Sequence, residues 1–561
     1  MLISHEVLLI ERITMTEVTD HPDSPPLPHA IDYDPYALPR ESIEEPPTSL
    51  WTALRKIGPG IILAGTIVGS GELLLTTSLG AKHGFVFLWL ILFSCVIKVF
   101  VQTELGRYAI SSGKPTLGAL NDLGGPRFGA NWICWWWFVM MCSTIFQLGA
   151  MTGTVGQSLN LAFPNFSPGL AGLLEQLVPS LANTIRERPD YPWAVLTCLT
   201  AIVLLWSGSY RRIESVTTVL VVGLTLVTVT AALALPATQF PIPWSDVFKG
   251  LAFGMPAEGI AVAFGVFGIT GVGAAELFYY PYWCLEKGYA RNVGRCDNSP
   301  EWVHRARGWI RVMYLDAWVS MVVFTISTVA FYFMGATVLH PQGLTPQGKD
   351  MILTLSRMFV DSFGTWTQIA FLIGAGAVLF KTLYLSSAGN ARLVADLFSI
   401  AGIFRYREPS QRARVIHWVS LLIPVIALGL FLSFKEPKWM VVVGGFGQAL
   451  TLPMITAATI YFRYRKLDRR ITPPLILDML LWLAFVSITL VAGYALRDQI
   501  QKALAPPAPV VAPAPVVAPA PVVAPATVVA PATVVAPATV VAPASEVAPE
   551  TPEQAPAEPS K

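Results

Sequence analysis

The sequence predicts an all-α integral membrane protein of about eleven transmembrane helices in a 5+5 inverted repeat, with the first and sixth helices broken. Hydrophobic residues make up 53% of the 561-residue chain and charged residues 13%, whereas soluble domains carry about 25% charged residues. Successive apolar stretches are separated by loops rich in charge, proline or glycine. Two of these stretches, five apart, contain glycines followed by an acid, which is the pattern of discontinuous helices in inverted-repeat transporters.

The membrane domain is predicted to cover residues 49–499, between two polar or low-complexity tails. Residues 1–48 are Pro-rich and acidic and lack the layout of a secretion signal, so we expect a disordered cytoplasmic tail. Residues 500–561 form a low-complexity C-terminal tail rich in Pro, Ala and Val. From Ala505 to about Ala544 it repeats Pro-Ala and Val-Val units, a composition that favours extended polyproline II conformations. The six cysteines form no CxxC pair, and we expect buried thiols without disulfides or a zinc site.

The predicted spans account for the distribution of basic residues along the chain. Their centres lie near residues 68, 95, 145, 199, 225, 267, 323, 380, 423, 450 and 485. With a cytoplasmic N-terminus, most loop arginines and lysines fall on the cytoplasmic side, as the positive-inside rule requires. We therefore expect a multi-pass protein of the cell (inner) membrane, embedded in the lipid bilayer, with its C-terminal tail on the opposite side. The net charge of +2 does not indicate a nucleic-acid partner.

The first and sixth spans are interrupted in the same way. Gly69-Ser70-Gly71-Glu72 lies in the middle of the first span, and Gly271-Val272-Gly273 followed by Glu276 lies in the sixth. Each glycine inside a helix costs about 0.8–1.0 kcal/mol, and an acid inside the bilayer is costly unless it faces a cavity or a partner. Close helix packing would explain the glycines but not the acids. The breaks therefore predict a polar site inside the membrane.

Several motifs resemble the natural resistance-associated macrophage protein (Nramp) family of divalent-metal transporters. The resemblance implies eleven helices in the leucine-transporter-like fold, a metal site between the first and sixth helices, and alternating access. A divalent metal ion would then be the transported substrate, and no cofactor is expected. No metalloprotease or nucleophile-elbow motif indicates an enzyme. The motifs are Gly58-Pro59-Gly60, Gly80-Ala81-Lys82-His83-Gly84, Gln102 to Lys114, Ala388-Gly389-Asn390, and Gln448 with Leu452-Pro453.

The departures from the family pattern fall on the residues that carry the chemistry. Gly69-Ser70-Gly71-Glu72 stands where the family has Asp-Pro-Gly-Asn, and the sixth span lacks the family's Met-Pro-His. In the third span, Gln147 and Met151 lie near the place where the family has a pair of acidic residues, which the resemblance implies as a proton route. We therefore expect weak or no proton coupling and no selection for soft transition metals.

The candidate ligands are the two acids and the unwound backbone near them. Carboxylates, carbonyl oxygens and retained waters suit magnesium, manganese or calcium, so a hard cation such as Mg²⁺ or Mn²⁺ is expected. The alternative for either acid is a protonated carboxyl that hydrogen-bonds an exposed backbone group. The predicted metal-site residues are Gly69, Ser70, Glu72, Gly273 and Glu276, with Thr66 and Gln448 as secondary contacts.

Two further functions stay open on the sequence alone. On the same fold, Gly69 to Gly71 would present helix N-terminal amides to the carboxylate of an organic solute such as an amino acid. Glu72 or Glu276 would then face its amine. The Pro-Ala-Val tail is the one hint of a receptor or scaffold, for which no soluble receptor domain is recognisable.

Polar residues of the later spans are expected to have structural roles. Gln448 is predicted to satisfy backbone groups freed near Pro453. Lys381 and Arg392 are predicted to pair with acids or to extend toward the membrane interface, and we expect the second of these for Arg392.

Overall fold

The computed structural model describes residues 43–69, 71–206, 210–256, 259–346, 351–434 and 437–504. Nearly all of the two predicted tails lies outside these ranges, and so does Ser70 of the predicted metal site. The predicted domain boundaries therefore stay predictions. The described residues up to Leu504 belong to one compact unit.

The first half of the unit covers the first five predicted spans. A short antiparallel hairpin of strands β1 (Arg127–Phe128) and β2 (Ala130–Asn131) precedes the third of them. The helical elements are α1 (Leu50–Leu54), α2 (Pro59–Ile67), a π-helical segment (Gly71–Thr76), α3 (Thr77–His83), α4 (Leu88–Ser112), α5 (Thr116–Asn121), α6 (Trp132–Ala162), α7 (Phe166–Leu174), α8 (Pro179–Glu187), α9 (Tyr191–Leu205), α10 (Tyr210–Ala234) and a 3₁₀ turn (Leu235–Ala237).

The second half covers the remaining six predicted spans, and helices α6 and α15 carry most of the packing between the halves. Helices α17 and α19 pack against α6, while α15 packs against α2 and α4. The elements are α11 (Trp244–Gly250), α12 (Ile260–Ile269), α13 (Ala274–Lys287), α14 (Tyr289–Val293), α15 (Pro300–Met334), a π-helical segment (Gly335–Leu339), α16 (Met351–Phe363), α17 (Trp366–Ile400), α18 (Pro409–Phe434), α19 (Pro437–Arg465), a 3₁₀ turn (Arg469–Ile471) and α20 (Leu475–Leu504).

The predicted span count is matched in part. Within the described ranges, eight helical segments are long and apolar enough to cross a membrane, and the bent pair Pro59–Ile67 and Gly71–His83 makes a ninth. The segments near the fourth and fifth predicted centres are shorter apolar helices, Tyr191–Leu205 and Thr225–Ala237. The all-helical membrane fold is confirmed, and the number eleven stays a prediction.

Both predicted helix breaks are present. The first span bends by 43° between α2 and the π-helical segment. In the sixth span, α12 ends at Ile269 and α13 begins at Ala274. Gly271 has φ +70°, and a Cβ atom there would lie 3.0 Å from Cys95 Cα. Glycine is thus required at this break by both backbone conformation and space.

One ion pair differs from the sequence-based expectation. The prediction that Arg392 extends to the membrane interface is wrong, because its side chain is buried in α17 and pairs with Glu286. Arg392 Nε and Nη2 donate to the two carboxylate oxygens at 2.5 and 3.0 Å, and Nη1 donates to the carbonyl oxygen of Ala388 at 2.9 Å. The guanidinium also lies 4.6 Å from the ring centroid of Trp283. This bidentate geometry supplies the partners that make burial of the charge acceptable.

Candidate functional site

The two helix breaks meet inside the bundle, and Glu72 joins them. Glu72 Oε2 accepts a hydrogen bond from the backbone N–H of Gly69, and Oε1 accepts one from the N–H of Gly271, each at 3.3 Å. The side chain is fully buried. Glu72 therefore satisfies amides exposed at both breaks, which is the alternative role considered for it from the sequence.

Glu276 occupies the first turn of α13, close to Gly273, the N-cap of this helix. A Cβ atom at Gly273 would lie 2.5 Å from Glu276 Oε2 and 2.8 Å from Gln448 Oε1. The two oxygens thus converge at the start of the helix, in space that only glycine leaves open. A carboxylate in this position is stabilised by the positive end of the helix dipole.

A cavity of about 30 Å³ lies beside Glu276. Both predicted secondary contacts, Thr66 and Gln448, line it together with Gly71. Thr66 Oγ1 donates its proton to the carbonyl oxygen of Leu63 at 2.8 Å, so its lone pairs are directed away from that bond. The remaining lining residues are Ile67, Thr144, Gln147, Leu148, Met151, Ile269, Ala275, Thr382 and Ser386.

The third span contributes four of the cavity residues given above, none of them predicted as a ligand, and Gln147 and Met151 are two of these. Gln448 Nε2 donates to Gln147 Oε1 at 2.9 Å, which couples α19 to α6. Met151 lies about one turn further along α6 and brings a thioether to the cavity. The sequence offered one indication of a role for Gln147 and Met151, which is their position in the third span where the family they resemble has acidic residues. Nothing local in the sequence shows which side of α6 faces the breaks.

The other predicted glycine lies at a close helix contact. A Cβ atom at Gly69 would lie 2.2 Å from Thr382 Oγ1, a cavity residue of α17. Of the predicted metal-site residues that the structure describes, Glu276 lines the cavity and Gly273 adjoins it. Glu72 forms the contact between the breaks through Gly271, and Gly69 donates to Glu72 within the first break. Ser70 lies outside the described residues.

The donor set is poor in charged ligands. Among the described residues, no group of three or more His, Cys, Asp or Glu side chains is arranged to hold a metal ion. An ion in the cavity would therefore meet one carboxylate, neutral oxygens and water. Mg²⁺ is commonly bound in this way, through one or two carboxylates with several waters retained.

An apolar helical bundle with two broken helices in contact, and a polar cavity where they meet, defines a membrane transporter. The natural resistance-associated macrophage protein-like (Nramp) family model matches residues 60–498. The chain belongs to this family. Membership assigns transmembrane transport of divalent metal ions and no enzymatic activity; the organic-solute alternative is not favoured.

Known proteins are similar to the chain over most of its length. An uncharacterized protein of Pasteurella multocida is 23% identical over 461 residues, which cover 80% of this chain and 92% of that protein. A variant of the Eremococcus coleocola manganese transporter superposes with a TM-score of 0.57 at 16% identity, over 82% of this chain and 90% of that chain. The same transporter in complex with an aromatic bis-isothiourea substituted compound gives the same values. At this identity the structural likeness shows the fold, and the leucine-transporter-like architecture predicted from the sequence is confirmed.

Proposed function

We propose that the transported ion is a hard divalent cation, Mg²⁺ or Mn²⁺, and that it binds in the cavity beside Glu276. One observation carries the proposal: a single carboxylate and several neutral oxygens surround a small space where the two helix breaks meet. Oxygen donors of this kind suit Mg²⁺ and Mn²⁺. The manganese transported by the Eremococcus coleocola protein of the same fold is consistent with this choice.

The size of the cavity favours an ion over an organic solute. A water molecule needs about 10–15 Å³ of such space, so about 30 Å³ accommodates an ion with one or two waters. An amino acid is several times larger. In this conformation the cavity therefore selects against organic solutes by volume alone.

The predicted ligands divide into two roles. Glu276 contacts the ion directly, Gly273 leaves space for that contact, and Thr66 and Gln448 add neutral oxygens. Glu72 acts through the backbone, because its two oxygens already accept the N–H groups of both breaks. Ser70 and Gly69 belong to the same break and are proposed to shape it.

Transport is proposed to proceed by alternating access, as one helix bundle rocks against the other around the site. The third span carries Gln147 and Met151 at the cavity where an acid would be needed to relay protons, so proton coupling is weak or absent. No resident cofactor is required. By the positive-inside rule the N-terminus is cytoplasmic and the C-terminal tail lies on the opposite side.

The function is tested with the purified full chain in liposomes. Mn²⁺ entry is followed by quenching of trapped calcein, and Mg²⁺ entry by a trapped magnesium-sensitive dye; radiolabelled amino acids serve as the alternative substrates. We expect saturable uptake of Mn²⁺, Mg²⁺ or both, and none of the amino acids. Protein-free liposomes are the control. Uptake of an amino acid without any divalent cation would overturn the proposal.

Met151 is expected to favour Mn²⁺ over Mg²⁺, because a thioether is a better ligand for the softer ion. Met151→Leu should reduce the ratio of kcat/KM for Mn²⁺ to that for Mg²⁺ by about 3- to 10-fold, which corresponds to roughly 0.7–1.4 kcal/mol. Leucine conserves volume in the core. Met140→Leu on the same helix is the matched control, since Met140 is equally buried and does not line the cavity. An unchanged ratio in Met151→Leu would exclude the thioether from ion selection.

A further inference from the structure

Two lysines lie at the helix breaks, on helices other than the broken ones. Lys98 belongs to α4 and Lys381 to α17, and both side chains are completely buried. A lysine in the interior of a membrane protein is costly to insert and is usually functional. The partners of these two ammonium groups therefore matter for how the site works.

Lys381 binds the end of the first half-helix. Its Nζ donates to the carbonyl oxygen of Val68 at 2.8 Å, and Val68 is the C-terminal cap of α2. The last carbonyl groups of a helix lack intrahelical partners and form the negative end of the helix dipole. An ammonium group satisfies both the hydrogen bond and the charge at this position.

Lys98 binds the corresponding end in the sixth span. Its Nζ donates to the carbonyl oxygens of Thr270, at 2.7 Å, and of Phe267. Ser94 Oγ lies 2.9 and 3.0 Å from the same two oxygens. The ammonium group also lies 4.7 Å from the centroid of the Phe267 ring. The C-terminal end of α12 is thus held by a charged and a neutral donor from α4.

The four half-helix ends at the breaks therefore carry four side chains of complementary charge. Lysines occupy the negative ends of α2 and α12, while Glu72 accepts the amides that follow each break and Glu276 lies at the positive end of α13. The carbonyl oxygens at the C-terminal ends of α2 and α12 are already bound by these lysines.

We propose that Lys98 and Lys381 are tethered cations, which occupy at the two breaks the positions that a mobile monovalent coupling cation would otherwise take. They are positioning residues: they fix the break geometry that presents Glu276 to the cavity. The cycle then needs no dissociable cation at either break. The uptake measurements that test this inference rest on the proposed function, whereas the comparison of protein stability in detergent does not.

Chemical rescue tests the proposal. Lys381→Ala and Lys98→Ala remove the ammonium group and leave space for a small cation. Mn²⁺ uptake into liposomes is measured in choline medium and again with methylammonium, Na⁺ or K⁺ added. We expect each alanine variant to lose at least about tenfold in rate in choline and to recover with a small cation in a concentration-dependent manner. The wild type should respond to none of these cations.

Three controls separate a tethered cation from a general structural role. Arg392→Ala removes a buried cation that pairs with Glu286 away from the breaks, and its loss of activity should not be rescued. Lys82→Ala removes an exposed lysine of α3 and should behave as the wild type. Lys381→Arg restores a cation and should retain more uptake than Lys381→Ala.

The outcomes are decisive in either direction. Wild-type uptake by the alanine variants in choline, or a loss that no small cation restores, would overturn the proposal. If an alanine variant folds poorly, the monodisperse fraction in detergent is compared with and without methylammonium during solubilisation. No increase in that fraction would also overturn it. If the wild type carries neither Mn²⁺ nor Mg²⁺, the proposed function fails, while this stability comparison still tests the lysines.

Discussion

Replacing Glu276 by glutamine is expected to reduce Mn²⁺ and Mg²⁺ uptake by about 30- to 150-fold, equivalent to roughly 2–3 kcal/mol. Among the described residues that line the cavity, Glu276 carries the one carboxylate. Glutamine keeps the shape of the side chain and one acceptor oxygen, but it removes the negative charge of the carboxylate. The loss should appear as a higher KM for uptake and as weaker binding of Mn²⁺ in isothermal titration of the purified protein.

Glu72→Gln is the matched comparison, because it makes the same chemical change at the other break. The two oxygens of Glu72 accept two backbone N–H groups. The amide of glutamine has one oxygen that can accept one of them, and its NH₂ group is a donor that would face the other N–H group. We expect a lower unfolding temperature and a lower maximal rate, with KM changed by less than about threefold. Normal ion binding in Glu276→Gln would eliminate Glu276 as the ligand of the ion. A loss of binding confined to Glu72→Gln would show that the two acids have the opposite roles.

The breaks themselves were predictable from the sequence because their cause is local. Glycines that interrupt an apolar run followed by an acid predict an unwound segment in any membrane context. The structure has both breaks at the predicted residues, and Gly271 requires its positive φ. That the two breaks touch follows from the repeat pattern, which relates the first span to the sixth.

The partners of the acids were less predictable, because they depend on tertiary packing between distant residues. Gln147 and Gln448 are hydrogen-bonded although 301 residues separate them. Nothing near Arg392 in the chain indicates that it pairs with Glu286, which lies 106 residues earlier. The prediction that Arg392 extends to the membrane interface was wrong for this reason. Lys98 was overlooked, although a single lysine in the apolar run of α4 is itself a signal of function inside a membrane.

The first half-helix is fixed to the seventh span by a buried carboxylate, and this contact carries the largest expected effect on stability. Asp316 of α15 accepts the N–H of Gly58 at 2.9 Å and that of Gly60 at 2.6 Å, through its two oxygens. Tyr280 Oη donates to the same carboxylate at 3.2 Å. Asp316→Leu leaves three buried donors without this acceptor, and we expect a loss of about 3–5 kcal/mol in unfolding free energy. The measurement is the thermal midpoint of the purified protein in detergent, followed by tryptophan fluorescence.

Two smaller changes at the same contact show whether the acceptor or the packing is responsible. Asp316→Asn keeps the volume and one acceptor oxygen, so it should lose less than Asp316→Leu. Tyr280→Phe removes one of the three donors and should cost about 1 kcal/mol. Lys381 binds Val68, the C-terminal cap of α2, at the break. Release of the start of α2 from α15 should therefore also lower the uptake rate. A midpoint for Asp316→Leu within about 2 °C of the wild type would contradict this account of how the half-helix is held.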